Sequence, residues 1–481
     1  MDFSSHAERD GTRLHGRAKG AARFMLGPSA LIGAMGLLRG ADATVPTPAE
    51  DWRRATVDLV IHVQRHQATI VHCLAGLRAQ TRQPRRIVLV DDGGIDRDGS
   101  LVLAREFAAV NAMAIEVIAR RWSIGRTPTL KRQASECDGD VLVVLDADTV
   151  LESPEFLERC VRELFQGAGI ASVCGTVLPL RGRDRRAMAA TAAFRRWLGP
   201  DAYRDLNASR DRAARIEQWL IDGYRQCVGL VQQRFVHRGQ MLAFGGIAHP
   251  VGAVAYRRGY LKDLFDRYEP VHGEDDQTHA EDIFIGVAFG NEGYRNVQLA
   301  DVVARVQQPA RIEHLPARRA RYTQAFLRGC YFFDALLQSP LKAPRRAWRR
   351  LRRPAPKVEQ RRVREAYRQP FGERLTREQG RPIGWALAFT ALEKILLPLI
   401  VLVLLATGQW RALAIGVLAE LALWLALLAA VAPAPRAATL ARGLLAAPLR
   451  YVELAADLVG VLRFGRELRG RQADRARRRM R

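Results

Sequence analysis

The run Val141-Leu142-Val143-Val144-Leu145-Asp146-Ala147-Asp148 constrains the fold of this chain more than any other stretch. A buried-looking apolar run of strand length ends abruptly in two carboxylates one residue apart. Along an extended chain that spacing sets Asp146 and Asp148 on the same side, and open α/β sheets gather their ligands at the carboxyl ends of strands. An isolated Asp-x-Asp is also an ordinary strand-to-loop turn, so its weight depends on what surrounds it.

Upstream, residues 58–63 read as an apolar strand, 69–80 as a helix, and 86–90 as a second strand running into Asp91-Asp92-Gly93-Gly94. A third strand, 115–119, leads to residues 125–133 and then a helix before the Asp146 strand. This alternation predicts an α/β fold: a mostly parallel sheet with helices on both faces, and with both acidic strand ends on one edge. Downstream, His279-Ala280-Glu281-Asp282-Ile283 opens an amphipathic helix that ends near Gly293-Tyr294-Arg295, and Arg318-Arg319-Ala320-Arg321-Tyr322 leads into Phe326.

Each motif has a plain alternative. Asp and Gly favour turns, which would account for Asp91-Asp92-Gly93-Gly94. Glu281 and Asp282 also suit the first turn of any helix, where the dipole stabilises acids. Glu274-Asp275-Asp276 reads as a solvated loop, although it competes as a source of a base. Arg318 and Arg321 would fit a basic, membrane-facing helix surface. His249, His272 and His279 have no compact metal-ligand spacing and read as loop or packing residues.

The order of these four motifs resembles the inverting family 2 glycosyltransferases of the GT-A fold, especially the membrane-embedded branch of cellulose, chitin and hyaluronan synthases. The resemblance covers residues 56–333. It implies a Rossmann-like nucleotide-sugar-binding domain in which Asp91 and Asp92 hold base and ribose. It further implies that Asp146 and Asp148 bind Mg²⁺ or Mn²⁺ on the diphosphate of a UDP- or GDP-sugar, and that Asp282, beside Glu281, supplies the base. Arg318-x-x-Arg321-Tyr322 matches the Gln-x-x-Arg-Trp motif that grips the diphosphate and shapes the acceptor site, with Arg for Gln and Tyr for Trp. Residues 125–131 match a Gly-Lys-Ala-Gly-Ala-Leu-Asn segment, with Arg126 at the Lys and Lys131 at the Asn position. The Arg-rich stretch 181–240 matches no family element.

The chemistry calls for these residue types. Glycosyl transfer builds negative charge on a leaving diphosphate, which a hard divalent cation and guanidinium groups neutralise. The acceptor hydroxyl is a poor nucleophile until a carboxylate takes its proton. One base and no protein nucleophile means a single displacement with inversion.

At 481 residues and a net charge of +25, with pI about 10.8, the chain invites a nucleic-acid reading. Its basic clusters, at 345–368 and 469–481, instead flank apolar segments, which favours anionic lipid over nucleic acid. Six cysteines scattered without a Cys-x-x-Cys argue against a disulfide framework. The expected organisation is a basic segment with a short interfacial apolar helix (1–50), the catalytic domain (51–335), a basic, Pro-containing linker (336–384), a transmembrane hairpin (385–432), and an interfacial or third membrane helix with a basic tail (433–481). Glu393 and Glu420 fall within the hairpin, where they could line a polymer path. Arginines after the hairpin place the catalytic domain in the cytoplasm, at the inner membrane. The expected activity is transfer to a growing polysaccharide, with a homo-oligomer or an export partner completing a path. A single addition to a lipid-linked acceptor and a catalytically silent scaffold of the same fold are the alternatives.

Overall fold

The computed structural model describes residues 27–39, 51–63, 67–92, 96, 98–167, 169–199, 211–268, 280–309, 311–352, 372–433 and 435–479. Gly93, Gly94, His272, His279 and the Glu274 to Asp276 run lie outside them.

Eight strands form one sheet in the order β3-β2-β1-β4-β7-β6-β8-β5. The first half is the expected parallel unit: β1 (Val57–Val63) lies between β2 (Arg86–Asp92) and β4 (Val141–Asp146), with β3 (Glu116–Arg120) outside β2. β1 and β4 are buried at every position, which explains why their sequences run apolar without alternation. The other half is mixed. β7 (Val254–Arg257) is antiparallel to both β4 and β6 (Ile170–Pro179), and β5 (Thr149–Leu151) is antiparallel to β8 (Arg295–Val306), while β6 and β8 pair in parallel. β5 follows β4 after two residues, too few for the crossover a parallel pairing needs, so the chain turns out to the far edge.

Two helix expectations also shift. Residues 125–133 do not precede a helix but form most of one, Arg126–Glu136, entered through Gly125 at φ +90°. The Glu281–Glu292 helix is not amphipathic: all of its residues except Phe284 are buried. Gly286 permits that depth, because a Cβ there would lie 2.5 Å from the His249 Cα. Gly293 closes the helix at φ +91°.

Beyond the sheet, Gly384–Ala406 and Trp410–Val431 are the two described helices long and apolar enough to cross a membrane. Part of the expected linker is helical, Ser339–Arg352 and Glu373–Gln379. The last helix, Arg436–Arg479, is one long brace. Its charges meet partners: Arg450 binds Glu420, Glu453 lies 3.0 Å from Arg225, and Asp457 takes two hydrogen bonds from Arg319 at 2.6 and 2.7 Å. Glu393 is likewise engaged, accepting from the Ser29 hydroxyl at 2.6 Å at the start of the Pro28–Arg39 helix. All six cysteines are free and buried.

Candidate active site

The register of the parallel strands assembles the site. Val63 pairs with Asp91 and the adjacent His62 pairs with Asp146, so the two acids end the strands on either side of β1. Neighbouring strands lie about 4.8 Å apart, which separates these two strand ends by roughly 10 Å. Asp146, Asp148, Asp91 and Asp92 are all buried to nine-tenths or more.

Asp92 is committed to the protein. It accepts hydrogen bonds from the backbone N–H of Gly125 (2.8 Å) and Ile124 (3.1 Å), from the Ser123 hydroxyl (2.9 Å) and from Arg120 (3.2 Å). Its work is to hold the turn that begins the Arg126 helix. Asp91 accepts from the backbone N–H of Asp96 at 2.7 Å.

That anchored turn delivers Arg126 to the centre. Its guanidinium pairs with Asp146 and lies 3.2 Å from the Glu281 carboxylate. Asp146 and Glu281 are separated by more than a hundred residues, yet one cation ties them together. Both are desolvated, with side chains 5% and 1% exposed, so their charges require a close positive partner. Asp282, next along the helix and 4% exposed, accepts from the Ile283 N–H at 2.9 Å. Asp148 accepts from the Thr149 hydroxyl at 3.0 Å. Lys131 lies five residues beyond Arg126, about 140° around the same helix, and so on a different face.

The arginine motif lies on the His314–Phe332 helix. Arg318 is within the field of Asp148 and Asp146: burial, the nearby Arg225 and Arg321 pull its pKa down to about 10, while the two carboxylates oppose the shift. Arg321, lowered mainly by burial, has Arg463 of the last helix as its neighbouring charge. Tyr322 is 4% exposed, and its hydroxyl bonds His249 Nε2 at 2.9 Å. This buried pair joins the motif helix to the loop on which Gly286 packs, and it confirms His249 as a packing residue.

Sequence reasoning missed Arg120 and Ser123 as supports, and Arg225 as a charge acting on Arg318. Arg225 lies in the stretch that matches no motif, so no spacing could have signalled it.

Among the described residues no three His, Cys, Asp or Glu side chains form a metal cluster. The donor set nonetheless fits a hard cation. Asp146 and Asp148 supply carboxylate oxygens, Mg²⁺-type ions take one or two carboxylates plus substrate phosphates, and Asp146 already carries a positive partner in Arg126.

A protein-family comparison matches the model described as Glycosyl transferase family 2 over residues 58–216. Among curated proteins, the chain is 26% identical over 223 residues to an undecaprenyl-phosphate 4-deoxy-4-formamido-L-arabinose transferase of Pseudomonas fluorescens strain SBW25, covering 45% of this chain and 59% of the relative. The enzyme of the same name from strain Pf0-1 is 35% identical over 125 residues, 25% of this chain and 35% of the relative. The chain thus spans about three fifths of the first relative's length. Among solved structures, a mannosyltransferase from Pyrobaculum calidifontis in complex with GDP-mannose and Mn²⁺ aligns with a TM-score of 0.48 at 16% identity, over 91% of this chain and 94% of the other. Glucosyl-3-phosphoglycerate synthase from Mycobacterium tuberculosis aligns with a TM-score of 0.31 at 16% identity, over 58% and 80%.

Proposed function

We propose that this chain, which carries a family 2 glycosyltransferase domain at residues 58–216, transfers a sugar with inversion from a nucleotide sugar to a lipid-linked acceptor at the cytoplasmic membrane face. The observation that carries this reading is the convergence of Asp146 and Glu281 on Arg126, with Asp282 beside them.

Asp146 and Asp148 would hold Mg²⁺ or Mn²⁺, which when bound neutralises charge on the donor diphosphate. Arg126 and Arg318 would add guanidinium charge where the diphosphate lies, and Asp91, near the end of β2 on the other side of β1, would meet the nucleoside. The acceptor oxygen forms a bond to the anomeric carbon, and the bond to the diphosphate breaks with its electron pair going to the leaving group. Any proton on that oxygen passes to the Asp282 carboxylate. No protein nucleophile is involved, so configuration inverts.

Three observations support the lipid-linked acceptor over polymer growth. The curated relatives are named for transfer involving undecaprenyl phosphate. Glu393 and Glu420, the acids expected to line a polymer path, are instead engaged by Ser29 and Arg450. Tyr322, at the acceptor-stacking position of the synthases, is buried against His249. The two apolar helices provide the membrane attachment, with the arginines after them facing the cytoplasm. Product analysis tests this choice. Incubation of the detergent-purified protein with radiolabelled nucleotide sugars and membrane lipid extract should yield an organic-soluble, single-sugar product; a water-soluble polymer would overturn it.

A further inference from the structure

The candidate base stands on a helix whose placement depends on a residue pair that the donor chemistry leaves unused. The Glu281–Glu292 helix presses Gly286 against the loop 247–251, and Asp282, four residues earlier, lies on the same face of that helix. A Cβ at Gly286 would lie 2.5 Å from both the Cα and the Cβ of His249 and 2.7 Å from the Pro250 Cδ, so helix and loop are in tight contact. The same loop reaches the surroundings of the base. The Val251 backbone is in hydrogen-bond contact with the Cys174 thiol, which in turn senses the Asp282 charge.

The loop is fastened at two points. Asn296, 2% exposed and held by the Ser172 hydroxyl at 2.7 Å, donates to the Gly286 carbonyl at 2.9 Å and to the Ile247 and Ala248 carbonyls at 3.3 and 3.4 Å. It clamps the first half of the loop to the base helix. The second fastening is the buried His249 imidazole, whose Nδ1 lies 3.1 Å from the Pro250 carbonyl and whose Nε2 lies 2.9 Å from the Tyr322 hydroxyl. A carbonyl only accepts, so Nδ1 carries a proton and, in the uncharged ring, Nε2 accepts from the phenol.

Tyr322 is itself fixed. The Lys394 ammonium and the Arg319 guanidinium lie 5.1 and 5.9 Å from its ring centroid, within cation–π range. Asp457 holds both cations, Arg319 at 2.6 Å and Lys394 at 3.2 Å, and Lys394 also donates to the Thr323 hydroxyl at 2.8 Å. The phenol therefore takes its position from the arginine-motif helix, the first apolar helix and the last helix together, and its hydroxyl reaches across to the loop against the base helix. Packing alone would be served as well by Phe. The hydroxyl adds a directed bond, which sets a distance that apolar contact leaves adjustable.

We infer that His249 and Tyr322 are positioning residues for the candidate base: the bond between them holds the 247–251 loop, and through it the Asp282 carboxylate, where it meets the acceptor. The inference rests on the transferase reading above. Neither residue is assigned contact with a reacting atom. A displacement of about 1 Å in a catalytic group costs about 10²-fold in rate, so loss of the bond is read in kcat and not in donor binding.

The test is nucleoside diphosphate release by the detergent-purified full chain with membrane lipid extract, over UDP- and GDP-sugars with Mn²⁺, and with Mn²⁺–UDP and Mn²⁺–GDP affinity measured alongside. On the donor that the parent uses, Tyr322→Phe and His249→Asn should each lower kcat about tenfold or more, with donor KM and nucleotide affinity within about twofold of the parent. His249→Asn keeps a donor for Pro250 but is too short for Tyr322. His249→Gln puts an amide oxygen where Nε2 stood and should recover kcat to within about threefold of the parent. Tyr322→Phe combined with His249→Asn should match the slower single variant, because both remove the same bond. A kcat for Tyr322→Phe within about twofold of the parent, His249→Gln as slow as His249→Asn, or losses that fall on donor KM or nucleotide affinity in place of kcat would overturn the positioning role and leave the transferase reading standing. A parent that binds neither nucleotide and releases none from any donor would overturn both.

Discussion

Replacing Arg126 by Gln removes a cation that contacts both Asp146 and Glu281. At 3.2 Å and an effective dielectric near 20, each contact is worth about 5 kcal/mol before desolvation, and breaking a buried pair costs about 3–5 kcal/mol net. At roughly 2–4 °C per kcal/mol, the apparent melting midpoint in chelator should fall by about 6–20 °C. The two carboxylates then repel each other, and a divalent cation that replaces the guanidinium should relieve the repulsion. Thermal unfolding with EDTA and with saturating Mn²⁺ plus UDP reads both effects. Arg126→Gln should be the less stable protein in EDTA and should gain more from Mn²⁺ and UDP than the unmodified chain. A midpoint within about 1 °C of the parent in EDTA, with an equal ligand response, would refute the reasoning that Arg126 occupies the cation position.

Asp92→Ala should release the 123–125 turn, weakening donor binding tenfold or more and lowering stability by about 1–3 kcal/mol, measured by nucleotide titration and denaturant unfolding. Asp222, whose carboxyl is raised to about 6 mainly by burial, disfavours folding once ionised, so its favourable contribution is present below about pH 4 and is lost as pH rises through 6. Asp222→Asn should therefore be more stable than the parent at pH 7.5, by up to about 3 kcal/mol, and equal to it near pH 4; equal stability at both would contradict this. Glu420→Ala should destabilise by about 3–5 kcal/mol because it strands Arg450, while Glu420→Leu with Arg450→Met should recover most of the loss in a melting assay. Gly239→Ala places a Cβ 2.3 Å from the Gly33 Cα, so limited proteolysis should cut the displaced 28–39 helix faster than in the parent.

The parallel half of the sheet was readable because β1, β2 and β4 carry largely apolar runs, the last two ending in acids. The antiparallel strands were not: β7 has four residues and β5 three, too short for a periodic signal. Depth defeated the amphipathic reading of the Glu281 helix, since Ala, Gly and Asn positions in it are buried as fully as Ile and Val. Local spacing identified Arg318 and Arg321 together, but their surroundings are visible only in the fold, with Arg225 and Asp148 acting on Arg318 and Arg463 acting on Arg321. In the same way Arg450, Glu453 and Asp457 look like interfacial charges in one dimension, and their partners on three distant elements are visible only in the fold.

Nucleoside diphosphate release by the detergent-purified chain, across UDP- and GDP-sugars with an alkyl phosphate acceptor, with Mn²⁺, Mg²⁺ or chelator, beside Asp282→Asn, tests the central claim most directly. Turnover of one donor that requires the cation and falls by roughly 10²-fold or more in the variant is the predicted result. Turnover that persists in chelator, or that Asp282→Asn leaves unchanged, would contradict it.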